Sequence, residues 1–225
     1  MIQQLAKNLA TIIKAPDADV FRHQAIIQNC EKNGIKFTDP EFPPEEKSLI
    51  RRVDTPPKWK TFVWRRASDF LDSFRLKVFD NIEPNDIQQG QLGDCYFLCC
   101  LSVLAERPKL IERLFLTEEP NKAGCYAVWL NDNGEWKPII VDDYFPCLGN
   151  NKGPAFSKAN GPELWVLLLE KAYAKMYGSY DIIEGGFPSV ALRDLTGAPY
   201  DFLESTNPDE VWEYITECDK KGNLV

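Results

Sequence analysis

The sequence lacks features that define several classes of protein. It has no run of eighteen apolar residues, so we expect no transmembrane segment. Its first residues lack the long apolar core of a secretory signal peptide. Basic residues are outnumbered, with 26 Lys and Arg against 34 Asp and Glu. Because the net charge is −8, we expect no binding to nucleic acid, which is itself a polyanion.

Paired cysteine motifs are also missing. The chain has seven cysteines, an odd number, and no CxxC motif with a matching histidine or second CxxC. A structural zinc site and a tight disulfide framework are therefore not expected. This cysteine usage favours a reducing, cytoplasmic compartment. Hydrophobic residues make up 44% of the 225 residues, which is enough for a packed core in one large domain or one domain with an N-terminal extension.

Hydrophobic periodicity predicts a mainly helical α+β chain with one small β-hairpin. Residues 1–35 are expected to be helical, with a first run through Leu5, Leu9, Ile12 and Ile13 and a second over Ala18–Asn33. Further helices are expected over Cys95–Ala105, a short run after Pro108, a run from Pro162 to Gly178, and residues 208–218. The hairpin pairs residues 126–130 with 136–141 across Asn131-Asp132-Asn133-Gly134. Residues 35–60 are rich in proline, which predicts an extended surface segment held by Phe side chains and Trp59.

Cys95 is the cysteine best placed for chemistry. It follows Gly93 and Asp94 and is expected in the first turn of an apolar helix. A helix N-terminus stabilises a thiolate through its unpaired backbone N–H groups and its macrodipole. Cys99 and Cys100 lie further along the same helix and are expected to be inert packing residues. From the pattern alone, a structural Cys95 and a nucleophilic Cys95 are equal alternatives.

Three glutamines precede Cys95 and are candidates for a second role. Acyl transfer needs donors aimed at the developing oxyanion, and a side-chain amide with the backbone N–H of the cysteine supplies them. Gln88, Gln89 and Gln91 all lie close enough in sequence. The alternative for each is an ordinary amide in a solvent-exposed loop.

Four segments resemble the calpain family of papain-like cysteine proteases. Residues 86–98, DIQQGQLGDCYFL, are similar to the family's nucleophile signature, and residues 163–180, ELWVLLLEKAYAKMYGSY, to its next signature. Residues 34–43 resemble its lead-in and residues 194–197, DLTG, a later element. The resemblance implies that residues 34–225 form the helical first subdomain of a papain-like core. Residues 1–33 show no clear match and are expected to form an N-terminal helical extension.

The resemblance also implies a function and roles for four residues. The parent protein would be a calcium-dependent cysteine endopeptidase that cleaves intracellular proteins through an acyl-enzyme. Cys95 would be the nucleophile and Gln89 the side-chain donor of the oxyanion hole. Gly185 and Gly186 match a glycine pair that binds the substrate backbone, where a Cβ would obstruct the approach. The alternative for this glycine pair is a plain turn.

A calcium site is implied in the same way. Its side-chain ligands match Asp86 and Glu163, and its backbone carbonyls match Phe79 and Asn81, where the family usually has Gly at the last position. Carboxylates and carbonyls are the hard oxygen ligands that Ca²⁺ requires. The alternatives are a turn-forming Asp86 and a Glu163 that interacts with a helix dipole. The acidic pair Asp142-Asp143 is interpreted as a turn at a strand end.

One component of a thiol protease is not found in the chain. The cysteine needs a base, usually His oriented by Asn or Asp. The single histidine, His23, lies in the extension and is expected to be a solvated residue on a helix surface. In calpains the His and Asn lie in a second, β-rich subdomain, which is absent here and is therefore an expected partner.

Two explanations fit a chain that stops where that second subdomain should begin. The sequence is part of a longer protease, or the protein is naturally a half-protease. Residues 221–225 resemble the start of a strand, which favours the first explanation. Either way we expect the isolated chain to be inactive. The alternative function is a non-catalytic, calpain-like module that binds calcium or a partner.

Overall fold

The computed structural model describes residues 18–54, 57–149, 153–158, 160–201 and 203–223. Within these ranges the helices are α1 (Ala18–Asn33), α2 (Glu46–Leu49), α3 (Cys95–Ala105), α4 (Pro108–Glu112), α5 (Trp165–Tyr177), α6 (Pro188–Thr196) and α7 (Pro208–Lys220). The strands are β1 (Val63–Arg66), β2 (Cys125–Asp132), β3 (Glu135–Asp142) and β4 (Tyr144–Cys147). The fold is mixed α+β. None of the helices in the described ranges is long and apolar enough to cross a membrane.

Two apolar helices, α3 and α5, form the centre of the core. Helix α5 is buried from Trp165 to Ala174, as expected for a helix that is hydrophobic on nearly every side. Phe97 of α3 stacks on Tyr173 of α5 with ring centroids 4.2 Å apart. Phe42 and Trp59 are also buried, so aromatic side chains do fix the proline-rich segment to the core, as predicted. This packing holds the start of α3 in a fixed place.

The predicted hairpin is confirmed as an antiparallel pair of β2 and β3. Its register runs from Cys125 opposite Asp142 to Asp132 opposite Glu135. The turn is shorter than predicted, since only Asn133 and Gly134 lie between the strands, with φ values of 52° and 94°. Positive φ at both central residues is typical of the type I′ turn that joins such strands.

A second two-stranded sheet was not predicted. Strand β1 pairs antiparallel with β4, from Val63 opposite Cys147 to Arg66 opposite Tyr144. Each strand has only four residues, and paired residues of β1 and β4 lie about eighty positions apart in the chain. No local turn motif therefore indicates the pairing.

The start predicted for helix α5 is wrong, whereas its end is confirmed. The helix begins at Trp165 and not at Pro162, because this segment first pairs with an extended stretch. The backbone N–H of Lys77 donates to the Pro162 carbonyl at 2.9 Å, and that of Leu164 donates to the Lys77 carbonyl at 3.1 Å. Glu163 is therefore held in a β-bridge opposite Lys77 rather than in a first helical turn. Gly178, with φ of 113°, ends the helix.

His23 is buried, so the prediction of a solvated histidine is wrong. Helix α1 is confirmed, but its inner face packs on the β2–β3 hairpin through Ile26, Ile27 and Cys30. His23 lies on that same face, one turn earlier, and is 4% exposed. Its Nε2 lies 3.1 Å from Thr117 Oγ1. The first predicted helical run, through Leu5, Leu9, Ile12 and Ile13, lies outside the described residues.

Burial lowers the pKa of His23 from its usual 6.5. The unfolded chain then binds a proton more readily than the folded chain, so stability present above about pH 6.5 is lost as the pH falls. We expect His23→Gln, which cannot titrate, to reduce this loss. Between about pH 7.5 and pH 5.5 the melting temperature of the wild type should fall by ~3 °C more than that of the variant. Melting temperatures are measured by circular dichroism at both pH values. An equal fall in the wild type and in His23→Gln would show that His23 is not the acid-sensitive group.

The acidic pair Asp142-Asp143 at the end of β3 belongs to a buried ionic cluster and is more than a turn. Lys171 of α5 is fully buried and donates to the Asp142 carboxylate, to the Asp142 carbonyl at 3.1 Å and to the Tyr144 carbonyl at 2.6 Å. Asp143 pairs with Arg66 of β1. These two ion pairs link helix α5 and strand β1 to the end of the hairpin.

Candidate active site

Cys95 is the first residue of helix α3, in the first turn as predicted. The Asp94 carbonyl starts the helix by accepting from the backbone N–H of Phe97 at 2.8 Å and of Leu98 at 3.1 Å. The Cys95 side chain is exposed, although Asp94, Tyr96 and Phe97 beside it are buried. The site thus presents a free, exposed thiol at a helix N-terminus.

The two cysteines further along α3 differ from each other. Cys100 is buried, its Sγ donates to the Pro188 carbonyl at 3.3 Å, and burial raises its thiol pKa to about 12, so it is inert as predicted. Cys99 is exposed, which makes the prediction of a packing residue wrong for it. Because residues four apart share a helix face, Cys99 lies one turn after Cys95 on the same exposed side.

The glutamine loop before α3 is fixed by backbone hydrogen bonds to residues 155–158. Gln88 and Lys158 exchange bonds in both directions, at 3.0 and 2.9 Å. The N–H of Gln91 donates to the Ala155 carbonyl at 2.8 Å. At Gly90 a Cβ would collide with the Phe156 carbonyl oxygen, so the close approach requires glycine.

The Gln89 side chain is directed toward the segment that leads into α3. Its Nε2 donates to the Leu92 carbonyl at 2.9 Å, three residues before Cys95. This bond uses one of the two N–H groups of the amide. Of the three candidate glutamines, Gln89 therefore has the arrangement that suits an oxyanion donor, and that role stays a prediction.

Gly185 and Gly186 lie against the start of α3. The N–H of Gly185 donates to the Gly93 carbonyl at 2.9 Å, and its φ of 76° favours glycine. At Gly186 a Cβ would collide with the Tyr96 ring. Both glycines thus have a structural reason, and their binding of the substrate backbone stays a prediction.

Asp86 and Glu163 are buried carboxylates that lie close enough to repel each other. Asp86 accepts from the backbone N–H of Glu83 at 2.7 Å. Burial raises the pKa of both groups, and the negative charges of Asp86 and Asp80 raise that of Glu163 further. Among the described residues Glu163 Oε2 has no hydrogen-bond partner. An unpartnered buried carboxylate oxygen beside a second acid fits a hard cation such as Ca²⁺.

The two predicted carbonyl ligands, Phe79 and Asn81, lie shortly before the 3-10 turn Pro84–Asp86, which ends at Asp86. The Phe79 ring packs edge-on against Phe115 with centroids 4.8 Å apart, which anchors this part of the chain. The Asn81 side-chain amide donates to Glu83. No cluster of three or more His, Cys, Asp or Glu suited to a metal occurs in the part of the chain that the structure describes. A calcium site here would therefore need backbone carbonyls beside its two carboxylates.

Two acidic residues near Cys95 were not identified from the sequence. Asp94 is 0% exposed, and Glu170 of α5 is buried next to it. From the sequence, Asp94 was only a residue before a helix, and Glu170 was only part of the signature segment 163–180. No local signal shows that the two carboxyl groups meet.

Comparison with known proteins agrees with this arrangement. A family model described as calpain family cysteine protease matches residues 37–225. The chain is 40% identical over 217 residues to the calpain-type cysteine protease DEK1 of Zea mays, covering 89% of the chain and 10% of that protein. It is 32% identical over 221 residues to calpain-5 of Mus musculus, covering 90% of the chain and 34% of that protein. The chain thus spans from a tenth to a third of the length of these relatives. It belongs to the calpain family of cysteine proteases.

Proposed function

We propose that residues 34–225 are the nucleophile-bearing subdomain of a calcium-dependent cysteine endopeptidase. The observation that carries the proposal is the exposed Cys95 thiol at the N-terminus of a buried helix, with Gln89 turned toward that helix start. Relatives whose names describe them as calpain-type cysteine proteases support it. Its substrates are proteins or peptides. Residues 1–33 are an extension, and the place of action is the cytoplasm.

The chemistry follows from these positions. The Cys95 thiolate attacks the scissile carbonyl carbon, and the carbonyl oxygen gains negative charge. The Gln89 amide and the Cys95 backbone N–H donate to that oxygen. Collapse of the tetrahedral intermediate breaks the C–N bond, the amine leaves with a proton from the base, and water hydrolyses the acyl-enzyme.

The base and its orienting Asn come from a second subdomain in this proposal. His23 does not supply the base, because it is buried between α1 and the hairpin and lies next to Thr117. The test is peptide hydrolysis by a longer protein that joins this chain to a calpain-type second subdomain. Hydrolysis that survives Cys95→Ser would refute the proposed nucleophile.

Calcium would act on this half through Asp86 and Glu163. A bound Ca²⁺ supplies positive charge that offsets the repulsion between these buried carboxylates. Asp86 lies two residues before Gln88, whose backbone is paired with Lys158, and Glu163 lies two residues before helix α5. Calcium that orders Asp86 would therefore also order the glutamine loop, because residues 86–89 form one continuous segment.

Calcium titration tests these ligands directly. We expect Asp86→Ala and Glu163→Ala each to remove one binding site, seen by calorimetry as the loss of its heat signal, because two carboxylates are few for Ca²⁺. Glu135→Ala is the control, since this exposed acid of the hairpin lies in no predicted site. Unchanged calcium binding in both site variants would show that the ligands lie elsewhere.

A further inference from the structure

Behind Cys95 lies a pair of buried acids, Asp94 and Glu170. Asp94 directly precedes the cysteine, and its carbonyl starts helix α3. Glu170 projects from helix α5, and its carboxyl group lies within hydrogen-bonding reach of the Asp94 carboxyl group. Both side chains are buried. Two acids are thus brought together directly beneath the proposed nucleophile.

The hydrogen bonding of this pair is incomplete if both acids are ionised. Among the residues that the structure describes, neither carboxylate oxygen of Asp94 has a donor. Glu170 accepts from the backbone N–H of Ser157 at 3.0 and 3.3 Å. Two carboxylates are only acceptors, so they cannot bond to each other. One proton held between them supplies the missing donor and removes one of two like charges from the core.

Glu170 also connects the two sides of the proposed oxyanion hole. Ser157, which it holds, lies between Ala155 and Lys158, the two residues whose backbones bind the glutamine loop. The other contact of Glu170 is Asp94, which directly precedes Cys95 and so helps to fix the position of the Cys95 backbone N–H. One side chain therefore relates the position of the Gln89 loop to that of the Cys95 helix start.

We propose that Asp94 and Glu170 share one proton and that Glu170 is a positioning residue, which holds the Gln89 loop and Cys95 in register. Only the second part rests on the proposed peptidase function. Neither acid touches substrate in this account. They act through the backbone of Ser157 and through the first turn of α3.

The surroundings of the pair favour retention of the proton. Burial is the main cause that raises the pKa of both acids, and the charge of Asp94 adds to it at Glu170. The other ionisable groups facing the pair are the hydroxyls of Tyr180 and Tyr96, whose own pKa values burial also raises. Lys171, next to Glu170 in sequence, is paired with Asp142 instead.

Because the pKa values of both acids are raised in the folded chain, the pair should make the protein less stable as the pH rises. Below the ordinary range of a carboxyl pKa, folded and unfolded chains are both protonated. As the pH rises above that range, the unfolded chain releases protons that the folded pair retains, so stability falls. Glu170→Gln cannot titrate, and its amide donates to Asp94 while its oxygen accepts from Ser157. We expect its melting temperature to rise by ~3 °C relative to wild type between about pH 5 and pH 8.

Glu106→Gln is the matched control for charge, because Glu106 is exposed at the end of the same helix. The melting temperature of Glu106→Gln should change with pH by the same amount as that of wild type. If the melting temperature of Glu170→Gln also changes with pH by the same amount as that of wild type, the proposal of a shared proton is wrong. This measurement does not involve catalysis, so it holds or fails independently of the proposed peptidase function.

The positioning role is tested by alkylation of Cys95 with iodoacetamide, with Cys99 in the same molecule as the internal reference. We expect Glu170→Gln to keep the ratio of the two rates within about twofold of wild type, and Glu170→Ala to change it by about fivefold or more. A folded Glu170→Ala protein with an unchanged ratio would overturn the role. If that variant does not fold, Asp94→Asn replaces it: its amide donates to Glu170, so the wild-type ratio should persist, and a changed ratio would overturn the account.

Discussion

The 225-residue chain alone is expected to hydrolyse peptides at no measurable rate. Its exposed thiol and glutamine donor lack a base, because the only histidine in the sequence, His23, is buried between α1 and the β2–β3 hairpin. Without a base, the thiolate forms less readily and the leaving amine receives no proton. Loss of one member of a catalytic unit typically lowers the rate by about 10³-fold or more.

Joining a calpain-type second subdomain to the chain should restore hydrolysis in the presence of calcium. The measurement is the release of a fluorophore from a peptide substrate, with and without the second subdomain. Activity of the chain alone that is lost in Cys95→Ser would contradict this prediction. It would mean that a base reaches Cys95 from another source, such as a second copy of the chain.

Lys171→Met is expected to lower the free energy of unfolding by about 3–5 kcal/mol, since it removes one partner of a buried ion pair. Lys171 donates to the Asp142 carboxylate and to two backbone carbonyls, all within the core. Methionine fills similar space but, among the described residues, leaves the charge of Asp142 with two remaining donors, the N–H groups of Asp39 and Tyr144 at 2.7 and 2.9 Å. A loss of this size is a large part of the stability of a typical domain.

Urea unfolding measures this effect, with Lys137→Met as the control. Lys137 also forms an ion pair with an Asp, at 2.8 Å from Asp132, but it does so on the exposed side of the hairpin. Surface pairs contribute little because solvent screens them, so this variant should unfold at nearly the wild-type urea concentration. Equal midpoints for the two variants would show that the buried cluster does not stabilise the fold.

The sequence was sufficient for features that depend on local patterning. The start of α3 at Cys95, the hairpin around Asn133-Gly134 and the end of α5 at Gly178 were all predicted. Each has a short-range cause: an apolar run, a turn that needs positive φ, or a glycine at a helix end. The signature segments identified the family, which the comparison confirmed.

Features that depend on distant contacts were missed. Nothing in the sequence around His23 shows that the hairpin covers it, and nothing near Glu163 shows the bridge to Lys77 that delays helix α5. Asp142 looked like a turn residue because its partner, Lys171, lies 29 positions away on another element. A polar residue in a local window reads as exposed, whereas burial and pairing are decided by tertiary packing.

Cys95 can be tested as the nucleophile by comparing Cys95→Ser with Cys99→Ser in a longer protein that contains the second subdomain. Both thiols are exposed on one face of α3, one turn apart, so general access and helix stability are matched. We predict that Cys95→Ser abolishes peptide hydrolysis and that Cys99→Ser leaves most of it. Retention of activity in Cys95→Ser, or its loss in Cys99→Ser alone, would contradict the assignment of Cys95 as the nucleophile.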